Sequence, residues 1–195
     1  MAYLDIPEQK KRLTDAAEIN RFLKPFGIQY ERWDIGAPRV GPDAPSEEIL
    51  AAYDPEIKKL MAAGGYVTAD VINIVPDTPN LQVLLDKFNK EHTHSEDEVR
   101  FIVKGRGVFH IHPDGGPVFG ITLEAGDLIN VPKGTKHWFD LCSERTIRAI
   151  RLFQDKSGWT PYYVDNGVHS GFTPMCWSVS DIPFSGKAPP AWATV

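Results

Sequence analysis

Apolar positions along this chain follow two regimes. In the first half they recur at helical spacing. Ala17, Ile19, Phe22 and Leu23 share one side of a segment that Thr14 can cap and that the Pro25 to Gly27 breaker ends. Ser46 is placed to cap a second segment, Glu47 to Tyr53, with carboxylates at its positive end. Asp54-Pro55 then supplies a cap and a first-turn proline for a helix ending at Gly64-Gly65. Asn80 can cap another, in which Leu81, Leu84, Leu85 and Phe88 fall on one face. Between these, Val71, Ile72, Ile74 and Val75 read as a strand.

From His92 onward the period changes. Short β segments separated by glycine, proline and aspartate run over Val99 to Lys104, Gly107 to His112, Phe119 to Leu123, Asp127 to Val131, Lys136 to Leu141 and Thr146 to Phe153. Strands spaced roughly 8–12 residues apart predict an antiparallel sandwich or barrel. Helices first and strands after therefore predict a mainly β fold with N-terminal helices.

Composition narrows the picture. A chain of 195 residues suits one domain, and 16 Gly with 16 Pro favour a turn-rich architecture. The net charge of −5 leaves no global positive field for nucleic acid or an anionic membrane. No apolar run reaches the roughly 18 residues of a membrane span, and the first residues carry no apolar signal core, so a cytoplasmic protein is expected. Cys142 and Cys176 lack CxxC spacing; they suit a reducing cytosol, argue against a disulfide framework and read as small core or near-surface residues.

Chemistry concentrates at EHTHSEDEVRF, Glu91 to Phe101. Side chains alternate along an extended segment, so His92 and His94 can offer two imidazole nitrogens to one ion. Glu98, four residues on, can add a hard oxygen donor. Two histidines and a carboxylate suit non-haem iron, and imidazole also suits nickel, copper or zinc. The alternative reading is a polar edge strand. Arg100 follows Glu98 by two, so both face one side of a strand, and Arg151 lies on a late strand able to cross the same cavity. Fixed guanidinium charges there would hold an anionic substrate; a buried salt bridge is the alternative. Glu91 can orient a ligand imidazole, accept a substrate proton or simply end a strand in solvent. His110 and His112 form a second HxH without a carboxylate at ligand spacing and are assigned to the surface, as is His169 in its loop.

A second segment, GDLINVPKGTKHW, runs from Gly126 to Trp138 and presents His137 at the start of a strand. With the first segment it resembles the two motifs of the cupin family: His92, His94, Glu98 and Gly105, then Gly126, Pro132, Gly134 and His137. It departs at Asp86, where the first motif usually opens with glycine, and at Leu141, where the second usually closes with asparagine. The resemblance implies a double-stranded β-helix, the cupin jelly-roll barrel, with a metal held by His92, His94, Glu98 and His137. The barrel would span residues 69–166 of a single domain, with helical decoration over 1–68 and a C-terminal extension over 167–195.

The strings HTHSEDEVRFIVKGRGVF, KHWFD and RLFQDKSGWTPYY further resemble the acireductone dioxygenase family in its bacterial form. That resemblance implies one Fe(II) or Ni(II) per chain, a small enediolate substrate carrying a methylthio group, O2 as co-substrate and a monomeric protein of methionine salvage. It implies formate and the keto-acid precursor of methionine as products with iron, and carbon monoxide, formate and methylthiopropionate with nickel. It associates Phe88, Phe101, Phe139 and Trp159 with the pocket wall, although core packing explains each one singly. Rival readings are another cupin dioxygenase or isomerase acting on a small acid, and a non-catalytic metal- or sugar-binding cupin.

Overall fold

The computed structural model describes residues 1–35, 40–155, 159–174 and 176. In chain order its strands and helices are β1 (Tyr3–Ile6), β2 (Lys11–Leu13), α1 (Ala16–Leu23), β3 (Gln29–Arg32), α2 (Ser46–Ala52), α3 (Asp54–Gly64), β4 (Thr68–Ile74), α4 (Leu81–Asp86), β5 (His92–Thr93), β6 (Glu98–His112), β7 (Phe119–Glu124), β8 (Asp127–Val131), β9 (Lys136–Leu141), β10 (Ile147–Phe153) and β11 (Tyr162–Tyr163). Every strand pairing is antiparallel.

One strand belongs to two sheets. The first half of β6 lies between β8 and β10, and its second half between β7 and β9. The resulting order is β11-β5-β9-β6-β7-β1-β2 in one sheet and β4-β10-β6-β8-β3 in the other. The sequence predicts two strands broken at the glycines of this segment. The structure instead runs straight through, with a register shift against Arg148 and Ala149 and with Gly105 at φ +80°. A Cβ at Gly105 would lie 2.0 Å from the Thr146 carbonyl oxygen, so glycine here permits the close crossing between sheets and does not end the strand.

The first 68 residues are not helical decoration alone. β1 pairs with β7 and β3 with β8, so the N-terminal third supplies edge strands to both sheets as well as three helices. Caps also differ from expectation. Asp15, not Thr14, caps α1 by accepting from the Ala17 and Glu18 amides, because it is the last residue with extended backbone. Ser46, Asp54 and Asn80 give no side-chain cap; Ser46 and Asp54 are already helical, and Asn80 enters α4 from the left-handed region.

Two apolar clusters result. Inside the barrel, Ile102, Phe109, Ile111, Ile121, Ile129 and Phe139 pack together, joined by Ile19 and Leu23 of α1. On the other side of the second sheet, Val99, Phe101, Leu128 and Ile150 pack beneath Ile49 of α2, Ile57 of α3 and Tyr53 between the two helices. The row Ile150, Phe101, Leu128 is in register across three strands, as is the neighbouring row Arg151, Arg100, Ile129. Adjacent rows point to opposite faces, which sends the arginines toward the barrel and Phe101 away from it.

The chain after β11 returns over the outside of the first sheet, where Phe172 packs 5.6 Å from the Trp138 ring. There Cys142, one residue beyond β9, is disulfide-bonded to Cys176. This corrects the expectation of two unpaired cysteines: spacing along the chain does not reveal that the tail folds back onto the end of β9. Among the described residues, no helix is long and apolar enough to cross a membrane.

Candidate metal centre

Three elements bring the donors together. β5 and β9 set His92 directly opposite His137, His94 follows β5 on the same face, and Glu98 opens β6 beside them. Donor atoms of His92, His94, Glu98 and His137 all lie within 4.8 Å of one another, and all four residues are buried. The ring centroid of His92 stands 4.8 Å from that of His94 and 4.6 Å from that of His137.

The outer nitrogens decide what the inner ones can do. His92 Nδ1 meets the Lys90 carbonyl at 2.6 Å, His94 Nδ1 the Thr160 carbonyl at 2.8 Å, and His137 Nδ1 the Thr135 carbonyl at 2.8 Å. A carbonyl only accepts, so each Nδ1 carries the proton and each Nε2 presents a lone pair to the centre. Nε2 of His92 and of His94 is buried without a hydrogen-bond partner. Burial, then the neighbouring His137, lowers the His92 pKa to about 3, keeping that imidazole neutral. Burial works to raise the Glu98 pKa, but Arg100, His137 and His94 hold it well below the ordinary carboxylate range. One Glu98 oxygen stands 3.0 Å from His94 Nε2 and 3.1 Å from His137 Nε2. Three imidazoles with their Nδ1 atoms engaged by carbonyls converge on one carboxylate oxygen, two of them with an orphaned Nε2 in a buried site, and this donor set fits a divalent transition metal.

Arg100 sits against this centre. Its Nε donates to the other Glu98 oxygen at 2.7 Å, and its guanidinium lies 4.9 Å from the Phe139 ring, 5.5 Å from Phe109 and 5.2 Å from Trp159. Arg151 occupies the same row one strand over, yet its guanidinium is bound by Asp70 through two hydrogen bonds of 2.8 and 2.6 Å. For Arg151 the salt bridge is therefore what forms, at the edge of the site and 5.6 Å from Trp159.

Of the four expected wall aromatics, three are beside the centre. Phe88 lies 5.8 Å from His92, Phe139 beneath Arg100, and Trp159 6.0 Å from His94. Phe101 is not there: it is buried on the far side of the sheet, 4.6 Å from Trp33 and 4.8 Å from Tyr53. Phe109 lies beside the centre instead, 6.2 Å from His137 and 5.0 Å from Phe139. Alternation from Arg100 carries the signal for Phe101 alone; Phe109 and Ile111 point in only because the register shift opposite Arg148 and Ala149 reverses the alternation midway along β6.

The second HxH is not at the surface. His110 is 1% exposed, stacked on Trp138 at 4.9 Å and 7°, with Nε2 3.4 Å from Asp140. It does face out of the barrel, opposite to its neighbours Phe109 and Ile111; the returning Phe172 segment covers it. His169 is half-buried in that segment, 6.4 Å from Trp138. His112 engages Glu91, with Nδ1 to Oε1 at 2.5 Å, so Glu91 is a fully buried partner and not a solvated strand end. Sequence reasoning also missed Glu96, whose buried carboxylate accepts the Gln154 and Asp155 amides and anchors the chain that goes on to Trp159.

Comparison with known proteins gives a concordant result. The profile of the ARD/ARD' family matches residues 3–161. An acireductone dioxygenase from Picosynechococcus sp. is 48% identical over 165 residues, covering 85% of this chain and 93% of the relative. Another, from Stutzerimonas stutzeri, is 46% identical over 167 residues, covering 85% and 91%. The solved structure of acireductone dioxygenase from Bacillus anthracis with cadmium ion in active center aligns with TM-score 0.78 and 41% identity, covering 84% of this chain and 98% of that one.

Proposed function

The chain belongs to the ARD/ARD' family, and on that premise we propose that it is a metal-dependent dioxygenase cleaving acireductone, 1,2-dihydroxy-3-keto-5-methylthiopentene, with O2 in methionine salvage. The observation that carries this reading is the buried convergence of three Nδ1-locked imidazoles and Glu98. Fe(II) or Ni(II), one per chain, fits that donor set. Held by His92, His94, Glu98 and His137, such an ion would supply Lewis-acid stabilisation to the enediolate form of the substrate, the deprotonated species that is electron-rich enough to meet O2. With iron the expected products are formate and 4-methylthio-2-oxobutanoate; with nickel, CO, formate and 3-methylthiopropanoate.

The chain's own residues have separable tasks. Lys90, Thr160 and Thr135 hold the ligand rings in the donor tautomer through their carbonyls. Arg100, 3% exposed, keeps a positive charge beside the reacting oxygens, and Glu98 orients it. Counted together, Glu98, Arg100, Arg151 and Asp70 are neutral, so a divalent ion leaves the site suited to a dianion. Phe88, Phe109, Phe139 and Trp159 exclude water and offer apolar surface to the methylthioalkyl tail. Glu91, buried and paired with His112, fixes the backbone at the start of β5, the strand that carries His92. A non-catalytic binding cupin requires the ligands alone; the buried Arg100 under three aromatic rings favours the enzyme.

The same reading has the protein working as a monomer in the cytoplasm, where the Cys142–Cys176 bond would face a reducing poise. Oxygen uptake with synthetic acireductone on iron- and nickel-loaded protein tests the activity. Uptake with the metal-dependent products is expected; no uptake with either metal, given stoichiometric loading, would overturn the proposal.

A further inference from the structure

Trp159 offers the site an apolar surface, but its polar edge raises a different question. The residue is 7% exposed, and its indole Nε1 is buried without any hydrogen-bond partner. Indole nitrogen is a donor only, and an orphaned buried donor is costly enough that native proteins rarely keep one without a use. The contrast with Trp33 is direct, since that indole donates to Glu31 at 3.3 Å.

Among the described residues, Trp159 Nε1 engages no acceptor, and the charged groups around the ring are donors. Arg100 and Arg151 bring guanidinium carbons to 5.2 and 5.6 Å from the ring, and the His94 ring lies against it at 6.0 Å. The adjacent Thr160 carbonyl already receives His94 Nδ1, and the Glu98 oxygen nearest Arg100 already receives its Nε. Phe153, 4.6 Å away, has no oxygen or nitrogen to accept an N–H and can present only a weakly accepting ring face. A corner with two cations and an unengaged N–H calls for a ligand rich in oxygen acceptors.

We propose that the Trp159 indole N–H donates a hydrogen bond to an oxygen of the bound substrate, making Trp159 a specificity-determining contact for an oxyanion beside His94 as well as a wall. This rests on the enediolate reading of the site. A substrate whose oxygen at that position is replaced by carbon leaves the donor unpaired again, so the site discriminates through the cost of that orphan.

The test uses the full chain loaded with diamagnetic Zn(II), and oxalate as probe, a planar dianion that presents two adjacent oxygens as an enediolate does. Replacing Trp159 by benzothienylalanine keeps both rings and removes only the N–H; Trp159→Phe is the simpler companion. Loss of one of the five indole resonances in the ¹⁵N correlation spectrum of the substituted protein assigns Trp159. Oxalate is expected to move that resonance downfield, and the ring-conserving substitution to weaken oxalate about 10- to 100-fold, the range for a hydrogen bond to a charged acceptor. A resonance that stays still while oxalate binds, unchanged affinity in the ring-conserving variant, or failure of oxalate to bind the loaded protein would overturn the donor. Uptake of oxygen with acireductone alongside a still resonance would leave the reaction standing and remove the contact; a moving resonance without uptake would do the reverse.

Discussion

Phe101→Ala separates the two sides of the second sheet. Phe101 is 0% exposed and bounded by Trp33 at 4.6 Å and Tyr53 at 4.8 Å, beneath α2 and α3. Truncating a buried phenylalanine costs about 3–5 kcal/mol from lost transfer energy and the cavity left behind. Two large aromatic neighbours cannot collapse into that space without leaving their own partners, which favours the upper part of the range. For a chain of this size each kcal/mol lowers Tm by about 2–4 °C, so a fall of roughly 6–20 °C is expected. The folded variant should bind substrate as before, because Arg100, one residue earlier, keeps its place on the opposite face. Phe139→Ala is the counterpart: it removes a ring 4.9 Å from Arg100 and should raise KM several-fold. Calorimetry gives the first quantity, and oxygen uptake at a temperature where both variants are folded gives the second. Phe101→Ala within about 3 °C of the parent but with a several-fold higher KM would refute the placement of Phe101 in the outer core.

Further outcomes follow from the same geometry. His94→Ala or His137→Ala should strip bound metal, whereas His110→Ala should keep it near one ion per chain; elemental analysis after gel filtration reads this, and the reverse pattern would refute the ligand assignment. In metal-free protein, burial holds the folded His92 pKa at about 3 against an ordinary 6.5, so its contribution to stability is complete above pH 6.5 and declines as pH falls toward 3. The unfolding free energy from urea titration should fall by about 1.4 kcal/mol per pH unit through that window from this group, and His92→Gln should flatten the slope. Reducing Cys142–Cys176, which closes a loop of separation 34, should cost about 2–4 kcal/mol; a scan with and without reductant that shows no change in Tm would mean the tail is held by packing on Trp138 alone.

The metal donors are legible in the sequence because their signal is local: HxHxxxE needs only strand alternation, and His137 follows a Pro-Gly turn that its motif carries. Strands β7 to β10 are legible from dense apolar runs bounded by turn residues. What escapes depends on long-range partners. β3 reads Gln-Tyr-Glu-Arg, with one buried residue in four, and forms because β8 offers it an edge. Gly105 and Gly107 look like breaks, but their missing side chains admit the Thr146 carbonyl and the Phe139 ring. His110 and the cysteines depend on where the tail returns, which no spacing encodes. Phe101 is different, since the alternation that places Arg100 toward the barrel already turns its neighbour outward.

The continuity of β6 has a consequence for stability. Glu98 stands at its start, in the half paired with β8, while His137 is held by the other half through Ile111. An ion held by these donors would therefore tie together two sheets that share one backbone, and its binding energy would protect both against local opening.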